Sequence, residues 1–470
     1  MRPNLRMSYD TKANPFITEL NLAAELDAAA VFEPVANDKG AIFLDSANAD
    51  HENSRYDILL CEPLAQIKYH QGTTQTRLLN GAYISESQDD PFKIARRLHR
   101  DLMPETLIDS ELPFIGGTVG YFAYDLGRSI ESIESIAQCD LTADDLHLGI
   151  YDWAIIKDNK QHRWYALDYQ PELERIDKWL TKYRQNTSNN SNSFALLSEW
   201  RSNMTETEYQ QKFNQVFEYL KAGDCYQVNL AQRFCAQYSG DPWVAYKKLR
   251  KANKAPFSAY LKTQTNSILS ISPERFLQLD SGRVESKPIK GTLPRGQSLK
   301  LDSVQKQKLQ KSPKDRAENL MIVDLLRNDI SRVCQPGTVR VPKLFEVESF
   351  PSVHHLVSTI TGEINEDKNA FDLLKACFPG GSITGAPKVR AMQIIEELEP
   401  HRRHIYCGAI GYIDWRDKMD MNIAIRTLIT ENDNIYCWAG GGLVYDSKCA
   451  SEYRETYDKL NHILPILSRG

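Results

Sequence analysis

Apolar positions in the second half of the chain fall into two periods. Tyr209, Phe213, Val216, Phe217 and Leu220 keep the three- and four-residue spacing of an amphipathic helix. Thr205 and Glu208 precede that stripe as a capping box, and Gly223 ends it. Further helices are predicted over Asp315 to Asn328, Pro387 to Glu399 and Ala450 to Leu464, and Asp241-Pro242 starts another. Runs of β-branched and aromatic residues predict strands over Tyr226 to Phe234, Phe257 to Lys262 and Ile268 to Ile271. Met421 to Thr430 and Ile435 to Trp438 read as a hairpin around Glu431-Asn432-Asp433-Asn434.

The first 185 residues mix short strands with a few helices. Ala41 to Leu44, Tyr56 to Leu60, His147 to Tyr151 and Trp164 to Leu167 read as strands, and Pro113 to Phe122 as a glycine-rich strand or turn. The polar tract Asn186 to Ser193 reads as a linker. The expected organisation is a first domain over 1–185, a linker over 186–200 and a second domain over 201–470. Hairpins and separate helices together predict an α+β architecture, antiparallel sheet with helices packed outside.

Composition narrows the class. A hydrophobic content of 41% and a charged content of 25% are those of a globular chain. A net charge of −5 argues against a general nucleic-acid binder, and no apolar run is long enough to span a bilayer. Met1 to Asn14 is polar and does not read as a signal peptide, and nine scattered cysteines without Cys-x-x-Cys fit reduced thiols, so a cytoplasmic location is expected.

Four sets of residues carry candidate chemistry. Ser286-Lys287-Pro288-Ile289-Lys290-Gly291-Thr292 holds Lys290 between apolar Ile289 and Gly291 on a stiff segment. Desolvation there would lower its pKa and make a nucleophilic amine, against the alternative of a surface lysine. Asp315 and Glu318, and Glu452 and Glu455, lie three apart on two predicted helices, so each pair shares a face. Opposed, they form an all-oxygen site suited to Mg2+; otherwise they are solvated acids. The glycine loop Phe378 to Lys388 runs into a helix N-terminus, and Ala439-Gly440-Gly441-Gly442 leaves bare backbone; both are tight turns or anion sites. Strand alternation places Arg426 with Asn422, Ala424 and Leu428, as a carboxylate clamp or a structural ion pair. Glu274, just after an apolar strand, reads as a general acid or as the partner of Arg275.

These pieces occur in this order in one family. Gly223 to Leu230, Ser272 to Phe276, Pro288 to Thr292, Asp315 to Asp329, Gly385 to Met392, Gly408 to Tyr412 and Glu452 to Lys459 strongly resemble the chorismate-utilising enzymes. Ser54 to Asp57 and Gly116 to Asp125 resemble the family's first domain more loosely. The resemblance implies large antiparallel sheets packed as a sandwich with helices on the outside. Pro288-Ile289-Lys290-Gly291-Thr292 and Gly223 to Leu230 are similar to the aminodeoxychorismate branch, and Gln227 stands where the water-adding enzymes carry lysine.

The roles that follow are implications of the resemblance. Glu318 and Glu455 hold Mg2+, helped by Asp315 and Glu452. Tyr412 and Arg426, with the backbone of Gly440, Gly441 and Gly442, hold the enolpyruvyl carboxylate of chorismate. Thr384 and Gly385 line the ring pocket, His355 stands near the ring carboxylate, and Lys459 balances the acids. Lys290 attacks C2 as Glu274 protonates the departing C4 hydroxyl, and ammonia then displaces the lysine at C4. The product is 4-amino-4-deoxychorismate, a precursor of 4-aminobenzoate and folate. The chain has no Gly-x-Cys-x-Gly nucleophile elbow, so a glutamine amidotransferase subunit is expected to supply ammonia in a heterodimer. The alternatives are anthranilate synthase component I chemistry, against which Lys290 stands, and an inactive chorismate-binding regulatory subunit. Leu44-Asp45-Ser46 departs from the anthranilate synthase feedback motif, and Tyr445 stands where relatives usually carry alanine.

Overall fold

Two antiparallel sheets form the frame of the protein in this computed structural model, which describes residues 16–78, 84–185, 193–349 and 353–468. The first sheet runs, edge to edge, through Phe16–Glu19, Arg163–Asp168, Trp153–Asp158, Tyr56–Leu60, Ile42–Asp45, Phe257–Lys262, Ser267–Ser272, Thr427–Glu431, Asn434–Leu443, Gln227–Gly240 and Phe194–Leu196. The second runs through Ile289–Pro294, Val353–Glu363, Arg283–Ser286, Arg275–Asp280, Met419–Ile423, Ala409–Asp414, Gly117–Phe122, Leu146–Tyr151, Ala65–His70, Thr73–Leu78 and Ile84–Ser87. Arg340–Ser349 pairs beside Val353–Glu363, a ribbon whose mixed polar pattern hid it in the sequence.

Each sheet takes strands from both stretches of chain. Ile42–Asp45 pairs with Phe257–Lys262 in the first sheet, and Gly117–Phe122 with Ala409–Asp414 in the second. The tract at 186–200 therefore divides the sequence without dividing the sheets. Its residues 186–192 lie outside the described residues, as do Met1 to Asn14. The rest is no free linker: Phe194–Leu196 pairs with the end of Gln227–Gly240, because burying Phe194 against Tyr238 favours an edge strand.

The core follows the two-residue alternation of the strands. One apolar cluster includes Val119, Leu148, Leu277 and Ile410 together with helix residues such as Phe92 and Ile394. A second lies under the helix Pro242–Asn253, where Trp243 and Tyr246 meet Phe43 and Tyr260. Asp45 is tied there by the Arg250 guanidinium at 2.6 Å and the Tyr246 hydroxyl at 2.7 Å.

The capping box closes Glu206–Ala222 as its sequence requires, and Gly223 ends that helix with φ 78°. Two expectations fail locally. The closing helix is Cys449–Asp458, followed by a turn and a separate helix Leu464–Ser468. The strand expected over Met421 to Thr430 is two strands in different sheets, Met419–Ile423 and Thr427–Glu431. The chain crosses between sheets at Ala424 to Arg426, and Arg426 takes a left-handed φ of 50°.

Candidate active site

Lys290 sits at a bulge. Its strand pairs Lys290 with Leu356 and Thr292 with His355, leaving Gly291 as the extra residue at φ 80°. A side chain at Gly291 would strike Asp315 at 2.8 Å, so the glycine lets the Lys290 strand touch the helix Pro313–Ser331. The half-buried Lys290 ammonium group donates to the Ser382 carbonyl at 3.0 Å, a neutral acceptor. Burial lowers its pKa, opposed by the Glu318 and Glu274 carboxylates.

Glu274 faces the same space. It is buried, accepts one long bond from the Ile289 N–H at 3.5 Å, and is pushed up by burial to about 7. His355 shares a 2.8 Å hydrogen bond with the Thr292 hydroxyl, and burial brings it down to about 4, so it is neutral at pH 7. Arg426 comes from the crossover between sheets rather than from a strand face, which corrects its expected neighbours. The Arg426 guanidinium makes no ion pair among the described residues, and Glu274 is the acid that faces it. A partly buried cation without an ion-pair partner is unfavourable, so an anion is the group that fits there.

Two helices bring the other acids. Glu318, on Pro313–Ser331, is raised by burial, and its Oε1 is buried without a hydrogen-bond partner. Glu452 and Glu455 lie on Cys449–Asp458. Burial pushes both carboxyls up, but Lys459 at 2.8 Å outweighs this for Glu455 and leaves it below its ordinary value. Lys459 also donates to the Gly440 carbonyl at 2.7 Å, so it pairs with one acid and the glycine strand rather than with the whole cluster. Lys314 stands 3.8 Å from Glu318 and 3.8 Å from Glu452, between the two helices.

Among the described residues no three His, Cys, Asp or Glu side chains form a ready-made metal cage. Mg2+ does not demand one, since it commonly takes one or two carboxylates and keeps water or substrate oxygens. The orphaned Glu318 oxygen and the acids opposite it fit that habit.

The glycine strand closes the wall. A Cβ at Gly441 would lie 3.2 Å from Glu452 Oε2, one at Gly442 2.6 Å from Gln227 Nε2, and one at Gly440 2.6 Å from Asn229 Oδ1. Gln227 is fully buried with neither amide atom partnered, and Asn229 Oδ1 is also unpartnered. Buried polar atoms are rarely left so, and a bound ligand or water would satisfy them. Asn229 carried no sequence signal beyond its place in Gly223 to Leu230. Thr384 is buried with its hydroxyl turned back to the Gly380 carbonyl at 3.0 Å, so it shapes the loop. Gly385, at φ 146°, pairs with Val228 and runs so close to that strand that a Cβ would lie 2.1 Å from the Gln227 carbonyl oxygen.

Tyr412 is elsewhere. It lines a cavity of about 350 Å3 with Arg275, Asp420, Tyr56 and Phe257, a set that includes neither Lys290 nor Arg426. Its ring meets Phe114 edge-on at 5.7 Å. Beside Tyr406, the Cys407 N–H donates to the Ala424 carbonyl at 2.9 Å, which joins that segment to the crossover carrying Arg426.

The profile of chorismate binding enzymes matches residues 39–465, almost the whole chain. The chain belongs to this family. Within the chorismate binding enzymes it is 49% identical over 435 residues to aminodeoxychorismate synthase component 1 of Klebsiella aerogenes, covering 92% of this chain and 95% of that one. It is 50% identical over 437 residues to the protein of the same name from Escherichia coli K12, covering 91% and 93%. The crystal structure of anthranilate synthase component I from Streptococcus pneumoniae TIGR4 superposes with a TM-score of 0.78 at 31% identity, over 88% of this chain and 93% of that one. No helix among the described residues is long and apolar enough to cross a membrane.

Proposed function

We propose that this chorismate binding enzyme aminates chorismate at C4, giving 4-amino-4-deoxychorismate with ammonia from a glutamine amidotransferase partner. The observation that carries this reading is Lys290, held in a buried site against a neutral carbonyl with its pKa lowered by burial. The half-identical relatives that bear the aminodeoxychorismate name agree with it. The label component 1 on those relatives supports a second subunit, and nine free cysteines support a reducing, cytoplasmic setting.

Lys290 attacks C2 of chorismate as a free amine. The ring double bond shifts, and the C4 hydroxyl leaves as water with the proton of Glu274, which burial keeps on the acid up to about pH 7. Ammonia then adds at C4, the double bond returns, the bond to Lys290 breaks to release the free amine, and the new C4 ammonium returns a proton to Glu274. Arg426 and the bare backbone of Gly440 to Gly442 hold a substrate carboxylate, and neutral His355 orients the ring end. Glu318 and Glu455 would hold Mg2+, with Glu452 and Asp315 beside them. The metal, when bound, draws electron density from the ring carboxylate. Gln227 closes the site with an amide in place of a basic lysine, which leaves water unactivated as a rival nucleophile.

Chromatography with mass detection, after incubation with chorismate, Mg2+ and ammonium salt, tests the reading. An amino product that keeps its enolpyruvyl group, with no pyruvate, is expected; anthranilate with pyruvate would overturn it. Lys290→Ala is expected to lose most of the amination and still bind chorismate. Full turnover by that variant removes the covalent step.

A further inference from the structure

Tyr445 and Ser447 belong to the short turn between the glycine strand and the helix that carries Glu452. That turn is closed twice. The Ser447 N–H donates to the Val444 carbonyl at 2.9 Å, and the Val444 N–H donates to the Ser447 hydroxyl oxygen at 3.1 Å. The second bond uses the serine oxygen as an acceptor and leaves its proton free to be given away. It goes to Glu452 Oε1 at 2.7 Å, in a buried setting. The other oxygen of the same carboxylate, Oε2, faces the bare Gly441, where a Cβ would stand 3.2 Å away. One carboxylate oxygen is thus held and the other is presented toward the glycine wall.

The turn has an external support. Tyr445 is 61% exposed, yet its ring lies flat on Phe217 with centroids 5.4 Å apart and planes 20° apart. Phe217 stacks in turn on buried Phe213 at 6.4 Å and 11°. A ladder of three rings therefore ties the turn to the helix Glu206–Ala222.

We propose that Ser447 is a positioning residue that fixes the rotamer of Glu452 for the metal, and that Tyr445 keeps Ser447 in place through its stack on Phe217. This rests on the Mg2+ reading given above. Partners of metal-binding carboxylates commonly change affinity by about 10–100-fold when removed.

Mg2+ titration calorimetry on the full chain, with and without chorismate, tests it. Ser447→Ala is expected to weaken Mg2+ binding about 10-fold. Ser447→Thr, which keeps the hydroxyl, should bind as the unaltered protein does. Tyr445→Ala, which acts on Glu452 only through Ser447, should weaken binding about threefold, less than loss of the serine itself, and Tyr445→Phe should restore it. The far-ultraviolet circular dichroism of each metal-free variant should match that of the unaltered chain, and together with the recovery in Ser447→Thr and Tyr445→Phe this separates positioning from a folding defect. Mg2+ binding by Ser447→Ala within twofold of the unaltered protein overturns the role of Ser447, and the same result for Tyr445→Ala overturns the clamp. An unaltered protein that binds no Mg2+ even with chorismate, alongside an equally silent Glu318→Gln, defeats the metal reading itself and this proposal with it.

Discussion

Burial acts on Lys290 and Glu274 in opposite directions and toward the same end. It lowers the lysine and raises the glutamate, so each is driven to its neutral form, an amine and an acid. At constant free ammonia, kcat/KM for chorismate should rise as Lys290 loses its proton and fall as Glu274 ionises near pH 7. Glu274→Gln should remove the alkaline limb and lower the rate by about 10²–10⁴-fold. The same shift predicts a stability effect. The folded value of about 7 lies above the ordinary 4.5, so the favourable protonated state is complete at low pH and is lost as pH rises through about 7. Glu274→Gln should therefore raise Tm at pH 8, by on the order of 1–3 kcal/mol of stability, and leave it nearly unchanged at pH 4. Lys290 was readable from its own neighbours, because Pro288, Ile289 and Gly291 restrict the segment. Tyr412 was not, since alternation along a strand does not say which of two cavities a face will meet.

The site's elements meet at places where chain geometry leaves no room for a side chain. Gly385 and Gly441 illustrate two different demands. Gly385→Ala would drive a Cβ to 2.1 Å from the Gln227 carbonyl at a left-handed φ of 146°, so the loop must leave its strand pairing. A loss of about 1–3 kcal/mol and weakened chorismate binding are expected, read by denaturant melts and calorimetry. Gly441→Ala meets only carboxylate ends, Glu452 Oε2 at 3.2 Å and Glu455 Oε1 at 3.5 Å. It should melt within about 1 kcal/mol of the unaltered protein, yet bind Mg2+ less tightly. The helices bearing Asp315, Glu318, Glu452 and Glu455 were legible because a three-residue spacing fixes a shared face. The break at Ala424 to Arg426 was not legible. A continuous apolar run looks the same whether it stays in one sheet or passes from one to the other.

Across the whole molecule, the two stretches of chain fold as one. The five strands nearest one edge of the first sheet come from before the polar tract, and Ile42–Asp45 is hydrogen-bonded directly to Phe257–Lys262. Residues 1–185 and 193–470 made separately should each lack native secondary structure by circular dichroism and expose apolar surface. Mixed or co-expressed, they should recover a folded, active complex; independent folding of either would contradict the shared sheets. The sequence alone determined several of the helices and strands, Lys290 and Glu274 as the candidate amine and acid, and the family, because these depend on short-range spacing and on motifs of a few residues. Only the tertiary structure decided which strands share a sheet and that Arg426 enters the site from a crossover. It also decided that Tyr412 belongs to another cavity and that a turn closed by Ser447 aims Glu452. Each of these depends on contacts between residues far apart in the chain, and no local period encodes them.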